Sequence, residues 1–259
     1  MRRARLILLA GTLLYSAWVL APLLGSRLSQ LHSFVSEVGA AGQPNAQFFR
    51  ATDLLAGTAF VVAAALGHRA LRPVSVLGLI TLAGLVAFGA ATMLDALMPL
   101  SCTPTADAAC AAREAAGHVP FTHVGHAFSS GIAGFGAVVA VLGWALWHRS
   151  ETKARSAGQG AGRAFDGARL TLGMGVAYLV ATAWTLAAMV QPNLYLGLAQ
   201  RAQVIAITLW LVLLATSPRV RRPRALPPGA PPRAGRDTPR SPRRSATTAG
   251  QSLPDRRDG

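Results

Sequence analysis

The chain has 259 residues, of which 52% are hydrophobic and only 14% charged, and its mean hydropathy is +0.38. A soluble core of this size does not need so much apolar surface, so the balance excludes an ordinary water-soluble domain and points to a bilayer as solvent. The formal net charge of +15 is not spread over the chain either: residues 218–259 carry eleven Arg against three Asp, a net of +8.

A helix needs roughly 20 mostly apolar residues to cross about 30 Å of hydrocarbon, and six stretches qualify. The first, 6–25, follows the basic start Arg2, Arg3, Arg5. It is longer than the apolar core of about 7 to 15 residues in a secretory signal, and it runs through Pro22, Leu23 and Leu24 where a cleavage site would stand. It is therefore read as a retained span. The others are 51–67, 74–98, 124–147, 170–190 and 196–216. The predicted fold is all-α: residues 1–217 form one polytopic transmembrane bundle of six spans, and 218–259 form a tail.

Short loops rich in Lys and Arg stay on the cytoplasmic side. Arg2, Arg3 and Arg5 precede the first span, Arg69 and Arg72 join the second to the third, and Arg149, Lys153, Arg155, Arg163 and Arg169 join the fourth to the fifth. The tail opens with Arg219, Arg221, Arg222 and Arg224. The alternate loops hold only Arg27 and Arg50, then Arg113, then none between Gln191 and Gly197. Both termini are thus expected in the cytoplasm. The tail, rich in Pro, Arg, Gly and Ser, cannot bury enough apolar surface to fold and is expected to be disordered. It would attract anionic headgroups at about 1 kcal/mol per basic residue, or merely end the last span in an arginine-biased composition. No nucleic-acid partner is expected.

Cys102 and Cys110 lie eight positions apart in the outer loop between the third and fourth spans. Disulfides persist outside the cytoplasm, and the spacing matches no common zinc pattern, so the pair reads as a bridge. Four charged residues stand near the outer surface: Glu37 in the first outer loop, Asp53 one turn into the second span, Asp95 one turn before the end of the third, and Arg201 one turn into the sixth. Charged groups at such depth face the bundle interior and pair. They form either a binding cluster open to the outside or an ion pair, Asp53 with Arg201, that holds two helices together. His118, His123 and His126 lie on the same side. If a helix starts after Pro120 with Thr122 as its cap, His123 and His126 share a face, and with His118 or a carboxylate they would complete a three-ligand zinc site with a position left for water.

The segments Ser36-Glu37-Val38-Gly39-Ala40, Asp53-Leu54-Leu55-Ala56-Gly57 and Gly197-Leu198-Ala199-Gln200-Arg201 resemble the pattern of an uncharacterised prokaryotic membrane family, domain of unknown function 998. The resemblance extends over residues 6–216. It implies a six-helix protein of a prokaryotic cell membrane and singles out Glu37, Asp53 and Arg201, but it supplies no reaction. The functional expectation is a multi-pass protein whose outward polar cluster binds a lipid, ion or small solute; the alternative is a zinc-dependent hydrolase of a lipid in the outer leaflet. The orientation has a direct check. A reporter fused after Ser217 is expected to be active only in a form that works in the cytoplasm, and activity confined to the other side would overturn the assignment.

Overall fold

The structure, a computed structural model, describes residues 2–70, 75–156 and 162–217. Arg72 and the tail at 218–259, which was expected to be disordered, lie outside the described residues. The helices are α1 (Arg2–Tyr15), α2 (Ala46–Ala70), α3 (Val76–Leu97), α4 (Ala108–Ala115), α5 (Phe121–Ser156), α6 (Gly162–Val190) and α7 (Leu196–Thr216), with no strand among the described residues. All but α4 contribute a segment long and apolar enough to cross a membrane, α1 doing so with the 3₁₀ turn Ala17–Leu20 that continues it.

These six helices pack in chain order: α1 on α2, α2 on α3, α3 on α5, α5 on α6, α6 on α7, and α7 back on α1. The result is a closed ring. Arg5 closes the seam by donating to the Ser217 carbonyl, which puts the two ends of the bundle's chain on the same side. The distribution of apolar residues is that of a protein in lipid. Leu13, Phe121, Phe128, Phe135 and Val180 are all more than 60% exposed, whereas Phe60, Tyr178, Trp210 and Leu211 are fully buried in the ring. Outward phenylalanines and leucines would be a liability in water and match the solvent in a bilayer.

Helices in lipid gain little from the hydrophobic effect and associate through close packing instead, which small residues permit. One of the tightest approaches joins α3 to α5. A Cβ on Gly84 would lie 2.4 Å from the Ala140 amide nitrogen and 2.7 Å from the Gly136 carbonyl oxygen, and one on Gly136 would lie 2.6 Å from the Phe88 nitrogen. Only glycine lets these backbones meet.

Element boundaries depart from expectation at several places; α5 runs on to Ser156 and α6 begins at Gly162, beyond the expected spans. The first span leaves α-geometry after Tyr15, because Pro22 lacks an N–H and its ring would clash with the Trp18 carbonyl one turn back; the chain tightens to a 3₁₀ turn in which the Ala21 amide reaches that carbonyl at 3.0 Å. Helix α2 starts at Ala46, five residues early, since Arg50 inside it finds the Ala96 carbonyl at 2.9 Å. Helix α5 starts at Phe121 directly after Pro120, so Thr122 lies in the first turn and not at the cap. The last span, 196–216, coincides with α7. Gly84→Ala and Gly136→Ala are each expected to lower stability in detergent by about 1–3 kcal/mol through overpacking, whereas Gly131→Ala, whose Cβ would meet nothing within 4 Å, gains up to about 1 kcal/mol from helix propensity. Thermal unfolding of the three variants decides it, and equal effects would refute the close-packing account.

Candidate functional site

The end of the bundle opposite the termini is roofed by the segment between α1 and α2. Gln30 to Ala41 is fastened there by backbone and side-chain ties. The Leu198 amide donates to the Leu31 carbonyl (3.2 Å), the Val35 amide to Gln200 Oε1 (2.5 Å), and the Ala41 amide to the Leu100 carbonyl (2.9 Å). At the first of these the strap runs against α7 so closely that a Cβ on Gly197 would lie 2.7 Å from the Ser33 carbonyl oxygen. Leu28, Val38 and Phe49 form a small apolar core beneath the strap with Ala21.

Two charged residues hold this roof. Arg201 is only 8% exposed; its Nε donates to Gln30 Oε1 (2.8 Å) and its Nη1 to the carbonyls of Ser33 and Gly197 (both 2.9 Å). Its guanidinium also lies 5.8 Å from the centre of the Trp18 ring. The ion pair with Asp53 is therefore not formed: the charge of Arg201 is spent on neutral acceptors of the strap. Glu37 is fully buried and reaches across to the loop after α3, accepting from the Thr105 amide (2.9 Å) and from the Thr105 hydroxyl. Burial pushes the Glu37 carboxyl up from the ordinary carboxylate range, and bonds from Thr105 and Ser33 draw it only part of the way back.

That loop is itself built stiffly. Cys102 and Cys110 form a disulfide, and α4 starts with Asp107 as its cap, accepting from the Ala109 amide. His123 anchors it from α5. The Ser101 amide can only donate, and it points at His123 Nδ1 (3.2 Å). Nδ1 is thus the acceptor, Nε2 carries the proton, and Glu114 Oε1 stands 3.6 Å from it.

Beneath the roof, inside the ring, lies a cavity of about 140 Å³. Asp53, Asp95 and His126 line it, together with Arg50, Trp18 and Tyr15. Asp95 accepts from the hydroxyls of Ser129 and, at 3.1 Å, Ser130. Its Oδ1 is 3.7 Å from His126 Nδ1. That nitrogen faces the carbonyls of Met98 (3.1 Å) and Asp95 (3.3 Å), which can only accept, so it carries the proton. His126 Nε2, buried and without a hydrogen-bond partner, is left as a bare acceptor. Among the described residues no donor or cation contacts the Asp53 carboxylate.

The six residues expected to cluster at this end thus divide between tasks. Asp53, Asp95 and His126 face the cavity, Glu37 and Arg201 fasten its roof, and His123 holds the disulfide loop. His118 is exposed on that loop. The three histidines do not converge, and among the described residues no group of three His, Cys, Asp or Glu stands ready to hold a metal. Ser129, Ser130, Trp18 and Tyr15 went unnoticed in the sequence. A signal existed for the serines, which follow His126 by three and four residues and so share its face.

The chain matches the family described as "Protein of unknown function (DUF998)" over residues 8–217. No curated protein and no solved structure matches it.

Glu37 carries a pH dependence of known sign. A carboxyl whose folded value is raised holds its proton where the unfolded chain has lost it, so its stabilising share is complete below about pH 4.3 and falls away as pH climbs through the raised value. Hydrogen exchange of residues 33–41 is expected to be slower at pH 5 than at pH 8 after correction for intrinsic rates, and Glu37→Gln to flatten that difference. A variant that keeps the full pH response would dismiss Glu37 as its source.

Proposed function

The chain belongs to the DUF998 family of proteins of unknown function, and from that premise we propose that it works as a binding protein of the membrane, holding a small polar solute or a lipid headgroup in the cavity under the outer strap. The observation that carries this reading is the pairing of a sizeable cavity with a polar group the fold leaves unanswered. A hydrogen-bonding group shut away from water costs about 1–3 kcal/mol when unsatisfied, and buried polar atoms in folded proteins nearly always have partners. Among the described residues the Asp53 carboxyl, which lines this space, has no hydrogen-bond or ion-pair partner. Arg201 behaves differently, since its Nε and Nη1 donate to three acceptors.

The side assignment follows from the arginines and the disulfide together. Basic loops favour the cytoplasm and disulfides the oxidising side. Cys102 and Cys110 sit at the end opposite Arg5 and Ser217. Both cues support a reading in which the cavity opens toward the exterior and the termini lie in the cytoplasm.

Gly134 gives a clean way to close the site. It lines the cavity, and a Cβ there would meet no atom within 4 Å. Gly134→Leu should insert its side chain into the space while costing little stability. Mass spectrometry of small molecules and lipids that co-purify with the wild type and the variant is the test: the variant is expected to lose at least one occupant. The same molecules in the same amounts in both would mean the cavity is not where they bind.

A further inference from the structure

The chemistry of the lining selects the kind of occupant. Its charged residues are Arg50, Asp53 and Asp95, a net of −1, and Arg50 commits its Nε to the Ala96 carbonyl. The lining group without a partner that concerns a ligand most, the Asp53 carboxylate, is an acceptor. An anion finds repulsion here, and a neutral solute leaves one negative charge uncompensated in surroundings of low dielectric. Among the described residues no group of three His, Cys, Asp or Glu stands ready to hold a metal ion. A cation bearing N–H groups gives the Asp53 carboxylate a donor and neutralises the charge. A quaternary ammonium brings charge but nothing to donate.

Size sets a further limit. A water molecule needs about 10–15 Å³ of such space, and pockets for drug-sized ligands run to several hundred. About 140 Å³ therefore suits a handful of heavy atoms.

We propose that this cavity is a site for a small N–H-bearing ammonium cation, supplied either by a free amine or by the headgroup of an amine-bearing lipid. Asp53 takes the charge and accepts an N–H, and Asp95, held by Ser129 and Ser130, contributes its field. The inference rests on the reading of the cavity as a binding site and adds the class of its occupant.

The experiment measures thermal stabilisation of the full chain in detergent by methylammonium, ethanolamine, tetramethylammonium and sodium chlorides at equal ionic strength, with acetate and glycerol as anionic and neutral probes. Methylammonium and ethanolamine are expected to raise the unfolding temperature in a saturable way, tetramethylammonium and sodium not. Asp53→Asn should weaken the two amines about 10- to 100-fold, as loss of a charge-assisted hydrogen bond does, and Gly134→Leu should abolish their effect. The wild-type preference for methylammonium over tetramethylammonium reads the proposal even if Asp53→Asn fails to fold. A second arm replaces the free amine by mixed micelles of phosphatidylethanolamine or phosphatidylcholine: stabilisation by the first alone assigns the ammonium to a lipid, and stabilisation by neither assigns it to a free amine. Equal effects of tetramethylammonium or sodium, or stabilisation by acetate or glycerol that Gly134→Leu removes, overturn the ammonium while leaving a binding cavity. If no probe distinguishes the wild type from Gly134→Leu, and both carry the same co-purifying molecules, the two readings fail together.

Discussion

A polar group inside hydrocarbon has no water to turn to, so it must find a partner in the protein or face a wet space of its own. That constraint accounts for many of the polar side chains in this bundle. The hydroxyls of Thr12, Thr92 and Thr185 return to carbonyls one turn back on their own helices, at 2.8 to 3.0 Å, a local solution that needs no tertiary contact. Arg201 reaches out of α7 to the strap. Ser129 and Ser130 serve Asp95. Asp53, which lines the cavity, has no such partner among the described residues.

The roof and the site it covers are chemically separate, which has a dynamic consequence. Val35, Ser36, Val38 and Gly39 touch the cavity, but their position is set by Arg201, Gln200 and Glu37 through bonds to backbone groups. Local openings in proteins draw on segments with few apolar contacts, at a cost well below that of global unfolding. The strap between α1 and α2 fits that description, with only a four-residue apolar core of its own. Its ties to α7 and to the disulfide loop thus govern access, although neither Glu37 nor Arg201 lines the space they guard.

What could be read from the sequence follows the same physics. The count of spans was legible because twenty apolar residues in a row have few other uses, and α7 was located to the residue because Tyr195 and Ser217 bound it cleanly. Boundaries failed where tertiary contacts decide them: Arg50 reads as a loop residue until the Ala96 carbonyl is known to lie beside it. The short helix α4 was missed although Asp107 before an Ala-rich run is a cap signal, because eight residues inside a disulfide loop leave little periodicity to detect. Depth along a helix is encoded by spacing, and it brought Asp53, Asp95, His126 and Arg201 to one end. Which way each one turns is not so encoded. The partners of Arg201 are mostly backbone carbonyls, which every residue possesses and no sequence pattern marks.

The ring also bears on whether anything passes through. Six helices around one axis enclose more room than side chains of ordinary size need to fill, so an axial space is expected unless aromatic residues occupy it. Toward the termini they do. Phe60 lies two turns below Asp53, about 10 Å deeper at 1.5 Å per residue; it stacks on Phe88 at 5.3 Å between centroids, with Tyr15 edge-on to both. Trp210 and Leu211 are fully buried in the same cluster. No acidic or basic residue continues the polar lining past this plug in α2, α3 or α7 until the far ends of the spans. A path for a polar solute needs stepping-stones at intervals along its length. Here the charged groups stop at one depth, and the aromatic plug that bounds the cavity is also the centre of the packing on which the ring depends.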